Sequence, residues 1–114
     1  MLKVVISKIK PGKEPRLRAW LEELMTRRHE VVETFRQEGV RHEQAFILEG
    51  SEGPLLLYVI EAGDHEQARM AFIASTLQID AEHRRVMAEV LDGRVELAPV
   101  YDCEDDGSSR ADNP

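Results

Sequence analysis

Residues 50–61 read Gly-Ser-Glu-Gly-Pro-Leu-Leu-Leu-Tyr-Val-Ile-Glu. Gly50-Ser51-Glu52-Gly53 has the composition of a turn, because Gly and Ser supply the backbone freedom and local hydrogen bonds that turns use. Leu55–Glu61 then reads as a strand that is apolar on both faces. Leu55, Leu57 and Val59 point one way, and Leu56, Tyr58 and Ile60 the other. Such a strand needs cover on both sides of its sheet. Val40–Glu49, ahead of the turn, reads as its antiparallel partner in a hairpin.

The rest of the chain builds outward from that hairpin. Leu2–Lys10 is rich in Val and Ile and reads as a strand stopped by Pro11-Gly12. Glu14 to about Glu38 has helical spacing in Leu17, Leu21, Leu24, Val31 and Phe35, with Pro15 in the first turn and Gly39 as the stop. Asp64-His65-Glu66-Gln67 matches a capping box and opens a helix running to about Ser75. After a break at Leu77-Gln78-Ile79, Asp80 is expected to cap a further segment, Ala81–Leu91, ended by Asp92-Gly93. Arg94–Tyr101 is the last strand, with Pro99 pointing to an edge position or a bulge. The order βαββαβ is that of a ferredoxin-like α+β fold, a four-stranded antiparallel sheet with its helices on one face. The bare face, apolar on the third strand, calls for a second copy of the chain, so a homodimer is expected.

The chain has 114 residues and a net charge of −7, from 15 Lys and Arg against 22 Asp and Glu. We read residues 1–101 as one domain and 102–114 as an acidic tail, expected to be disordered, which holds −4 of that charge. The acidity disfavours nucleic acid and anionic membranes as partners. The longest wholly apolar run, Leu55–Ile60, is far shorter than the roughly 20 residues of a membrane span. The N-terminal MLKVVISKIK lacks the apolar segment and cleavage site of a signal peptide. A single cysteine, Cys103, excludes an intrachain disulfide and suits a reducing, cytoplasmic setting.

Lys10-Pro11-Gly12-Lys13-Glu14, Arg27-Arg28-His29-Glu30, Glu38-Gly39-Val40 and Ile79-Asp80-Ala81-Glu82-His83 carry a resemblance to the dimeric α/β-barrel superfamily. That group includes antibiotic-biosynthesis-type monooxygenases and rhamnose mutarotases. Within it, the chain looks most like a family of small bacterial proteins of unassigned function. The resemblance implies two sheets packed face to face and cofactor-free chemistry, an isomerisation or an oxygenation. It does not carry over the mutarotase residues. The Tyr and His that such enzymes use on the first helix would fall at Trp20 and Leu24, and their paired tryptophans at His83 and Arg84.

Two polar residues sit where the helical pattern calls for apolar ones. On a continuous first helix, Arg28 points into the stripe of Leu17, Leu21, Leu24, Val31, Val32 and Phe35. A buried guanidinium needs an acceptor, so Arg28 is either a ligand for an anionic small molecule or an ion-pair partner of Glu43 or Glu96, unless it extends to the rim. His83 is flanked by Ile79, Val86, Met87 and Val90 and faces the sheet, as a candidate proton-transfer residue or a core histidine. Tyr58 and His42 are candidate ligand contacts, each with a packing role as the other reading. Spacing supports no metal site, and there is no nucleotide-binding loop. Two functions remain open: a small-molecule-binding dimer with Arg28 and His83 in one cleft, or a non-catalytic interaction module in which both are internally paired.

Overall fold

A computed structural model describes residues 1–105 and 107. The remainder of the acidic tail, with its expected disorder, lies outside the described residues. The elements are β1 (Leu2–Ile9), α1 (Glu14–Thr26), α2 (Arg28–Glu38), β2 (Val40–Gly50), β3 (Gly53–Ala62), α3 (His65–Ala74), α4 (Gln78–Val90) and β4 (Leu91–Leu97). All pairings are antiparallel, in the order β2-β3-β1-β4. The doubly apolar strand is therefore central, flanked by β1 and β2. The fold is the ferredoxin-like α+β arrangement expected from the element order.

The core lies between the sheet and one helical layer. Ile9 and Leu56 from the sheet pack with Leu17, Trp20, Ile79, Val86 and Val90 from the helices. Asp64 starts α3 as expected, its side chain accepting from the Gln67 backbone N–H at 3.0 Å. Gly39 ends α2 at φ +73°, a left-handed conformation that only glycine adopts freely.

The first helix is not continuous. Thr26 Oγ1 donates back to the Glu23 carbonyl at 2.7 Å, and Arg27 leaves helical geometry at φ −113°, ψ 40°. This break removes Arg28 from the stripe, although Val31 and Phe35 further along α2 still face the cavity between helices and sheet. Arg28 is consequently exposed, and the reading of it as an inward-pointing ligand is corrected. Arg27 turns inward in its place. Its guanidinium donates to Glu23 (2.8 Å), Glu30 (2.7 and 2.9 Å) and Glu82 (2.6 Å), and lies 5.9 Å from the Trp20 ring centroid. It thereby ties the α1–α2 junction to α4 and holds the Glu30 and Glu82 carboxyls below the usual range. Arg27→Ala is expected to lower the melting temperature clearly, whereas Arg28→Ala should stay within about 0.5 kcal/mol of wild type. Equal effects in thermal denaturation would contradict this placement.

Two bulges set the faces of the edge strands. In β2, Val40 pairs with Ala62 and His42 with Glu61, so Arg41 is an extra residue. In β4, Leu91 pairs with Ile9 and Arg94 with Ser7, and Gly93 at φ +79° absorbs the extra residue. Gly93 thus serves a strand bulge rather than a helix stop, and α4 passes directly into β4. Pro99 lies beyond the end of this edge strand.

Candidate functional site

A cavity of about 310 Å³ opens between the helices and the sheet, at the lower end of the size range of small-molecule sites. Its wall is largely apolar, with Val5, Leu24, Val31, Ile60, Ile79 and Met87 among its lining residues. Polar groups enter from several elements. Glu38 comes from α2, Glu43 from β2, Tyr58 from β3, and Asp80 and His83 from α4.

Local structure explains each placement. Val31, Thr34, Phe35 and Glu38 follow i, i+3, i+4, i+7 spacing, so α2 turns Glu38 to the same side as its apolar residues. The Arg41 bulge lets Val40 and Glu43 face the cavity although they are three residues apart. The same bulge sends His42 to the opposite side of the sheet, where it is exposed and does not line the cavity. The candidate role of His42 inside the cleft is thus corrected. It shares the open face with Gln44, Phe46 and Leu48.

His83 lies against three aromatic side chains, with ring centroids 6.0 Å from Trp20, 6.4 Å from Tyr58 and 5.6 Å from Phe72. Trp20 Nε1 donates to His83 Nδ1 at 2.8 Å. Indole can only donate, so Nδ1 is the acceptor and the imidazole proton resides on Nε2. Burial pushes the His83 pKa down to about 4, with Asp80 opposing. At neutral pH the ring is uncharged and offers one N–H. It is therefore a hydrogen-bond donor, and its basic nitrogen is already occupied.

The carboxylates differ in how they are held. Asp80 is not the helix cap expected from sequence. It is buried in the first turn of α4, accepts from Thr34 Oγ1 at 2.6 Å and so joins α4 to α2. Glu38 and Glu43 have no hydrogen bond or ion pair to protein among the described residues. Burial raises Glu43 to about 7. Glu38 rises to about 8 through burial first, then repulsion from Asp80 and Glu43. The Tyr58 hydroxyl is buried without a partner, and burial followed by the nearby Glu43 raises its pKa. Neither proposed acceptor for an inward arginine meets one. Glu43 faces the cavity, and Glu96 pairs with Lys3 at 2.9 Å and Arg94 at 3.0 Å.

Sequence reasoning placed His83 on an inward face and named Tyr58 as a candidate contact without deciding its face, and both line the cavity. It missed Glu38, and it named Glu43 only as an ion-pair partner for an inward Arg28. The spacing of Glu38 from Val31 was a usable signal, but nothing local marks Arg41 as a bulge. Among the described residues, no group of three or more His, Cys, Asp or Glu is placed to hold a metal ion, and no helix is long and apolar enough to cross a membrane.

Fold and cavity together define a ferredoxin-like α+β protein with a mainly apolar helix–sheet pocket bearing unpaired carboxyls. The chain belongs to DUF6176, a family of unknown function whose model matches residues 2–106. No curated protein matches it in sequence. Among solved structures it is similar to an L-rhamnose mutarotase from Formosa agariphila, at 14% identity and a TM-score of 0.63, covering 91% of this chain and 99% of the other. A NIPSNAP domain protein from Burkholderia xenovorans matches at 18% identity and a TM-score of 0.57, over 91% and 98%. A cofactor-independent oxygenase from Streptomyces nogalater matches at 13% identity and a TM-score of 0.52, over 89% and 93%. Likeness at these identities is a likeness of fold.

Proposed function

We propose that this protein is a cytoplasmic homodimer that binds a small molecule in the helix–sheet cavity of each subunit. The observation that carries the reading is the buried, unpartnered Tyr58 hydroxyl beside the unpaired Glu43 carboxyl. Buried polar groups are normally satisfied within the protein, and a ligand is the natural partner of those that are not. A purely structural module accounts for His83, bonded to Trp20, and for Asp80, bonded to Thr34. It does not account for Tyr58 or Glu43.

Of the two reaction classes considered, isomerisation by proton transfer is the one for which groups are present. Glu43, held near 7, exchanges protons readily at neutral pH, and His83, whose Nδ1 is taken by Trp20, lines the same cavity with Nε2–H as a donor. The proton-transfer role expected for His83 therefore passes to Glu43. An anionic ligand, expected while Arg28 pointed inward, is disfavoured by Glu38 and Glu43.

Support for the dimer comes from the open face of the sheet. The register aligns Leu97, Val4 and Val59 in one cross-strand row, and Val95, Ile6, Leu57 and Phe46 in the next. Val95 is 61% and Phe46 47% exposed, and apolar side chains exposed side by side are a mark of an interaction surface. Light scattering should give the mass of a dimer for the wild type and of a monomer for Leu57→Asp. A monomeric wild type would remove the dimer. Cavity binding is tested by thermal shift against a panel of small neutral, cationic and anionic compounds, repeated in Tyr58→Phe and Val31→Trp. Hits that survive filling of the cavity by Val31→Trp would place the binding site elsewhere.

A further inference from the structure

Every cationic side chain that lines the cavity already has a partner. Lys3 of β1 and Arg94 of β4 share Glu96. Arg69 of α3 pairs with Glu66 at 3.3 Å, and His65 is bonded to the Met1 carbonyl at 2.7 Å. On α4, Asp80 is taken by Thr34 and His83 by Trp20. Glu38 and Glu43 are left over, acidic side chains on adjacent elements facing one cavity with no protein cation to meet them. The buried Tyr58 hydroxyl stands beside them, also without a partner. The remaining lining is largely aliphatic and aromatic, and includes Phe72, whose ring packs against His83.

We propose that the ligand of this cavity is a small organic cation, with an ammonium group held by Glu38 and Glu43 and an apolar body against Phe72 and the aliphatic wall. The proposal rests on the cavity being a ligand site and adds the ligand's chemical class. An ammonium supplies N–H donors and the missing positive charge, and aromatic faces attract cations from which water has been removed. An anion would face two carboxyls, and a polyhydroxylated ligand would lose hydration against an apolar wall without regaining it.

Ionisation of the two acids accompanies binding. Near neutrality in the empty cavity Glu38, at about 8, is mostly protonated and Glu43, at about 7, is about half so, facing Asp80, Tyr58 and His83 within it and the paired Lys3, His65, Arg69 and Arg94 around it. A bound ammonium favours their charged forms, so protons are released. Affinity should then rise with pH between about 6 and about 8, by up to about tenfold per unit for each proton released.

The test uses the full-length protein and three probes of similar shape: 2-phenylethylamine, 2-phenylethanol and phenylacetate. Titration calorimetry should show the amine binding at least about tenfold more tightly than the alcohol, a factor worth about 1.4 kcal/mol, with buffer-dependent heats that report proton release. Phenylacetate should not bind. In Glu43→Gln, whose circular dichroism should match wild type, the preference for amine over alcohol should collapse while the alcohol still binds. Equal binding of amine and alcohol, or preference for the acid, would overturn the cation proposal and leave the cavity reading standing. Failure of all three probes would overturn the cation proposal and count against the cavity reading as well.

Discussion

At about pH 8, Glu43→Gln is expected to be more stable than the wild-type protein by up to about 3 kcal/mol. The gain should vanish towards pH 4.5. Burial raises the Glu43 carboxyl in the folded state to about 7, well above the 4.5 of an ordinary glutamate. Between those values the folded protein holds a proton that the unfolded chain has released, so stability falls as pH rises through this window and is level above it. Glutamine stays neutral at every pH and removes that fall. Glu38, raised to about 8, adds a decline of the same sign, which is smaller in the variant because repulsion from Glu43 is one of its causes. His83 acts oppositely. Its folded pKa of about 4 lies below the ordinary 6.5, so its contribution grows as pH rises from 4 to 6.5. Above about 6.5 the histidine term is constant, and the comparison is cleanest there. Urea unfolding at about pH 5 and about pH 8 measures the effect. A variant less stable than wild type at the higher pH would mean that Glu43 has a stabilising partner in the folded protein.

Leu56→Ala is expected to destabilise the fold by about 3 kcal/mol, within the usual range of about 2–5 kcal/mol for truncating a buried leucine. Leu56 is fully buried on the central strand, opposite Ser7 on one side and Ile47 on the other, and packs in the cluster that contains Leu17, Trp20 and Val86. Helices on one side and sheet neighbours on the other leave little room for the site to collapse after truncation. Leu57→Ala, one residue on, falls on the open face and should cost the isolated subunit less. The pair of variants, measured by denaturant unfolding in a background made monomeric, reports which face of the third strand meets the helices. Equal losses would contradict the observed register.

The expected and observed structures part at single irregular residues. Periodicity read the inward positions of the first helical segment correctly, Val31 and Phe35 included, and failed only at the junction, where it chose Arg28. Projection at a constant angle assumes an unbroken helix, and Thr26 and Arg27 break it. The inward arginine was correct as a type and wrong by one in number. Its partners are carboxylates of α1, α2 and α4 rather than a strand glutamate or a ligand. In β2, alternation grouped His42 correctly with Gln44, Phe46 and Leu48, but it could not say which face meets the helices, and the structure puts that group on the open face. Asp80 looked like a cap because it precedes a helical pattern, but α4 begins at Gln78 and Asp80 is bonded to Thr34 across the helix pair.

What the sequence determined alone is the order of the elements, the central strand apolar on both faces, the capped start of α3 and the inward position of His83. These follow from local periodicity and from residues within a few positions of one another, which need no knowledge of distant packing. Only the tertiary structure decided that Glu38 and Glu43 face one cavity unpaired, and that His83 offers a donor rather than a base. The first depends on a bulge and a helix break whose phase no local pattern records. The second depends on an indole 63 residues away in the chain taking the imidazole's basic nitrogen.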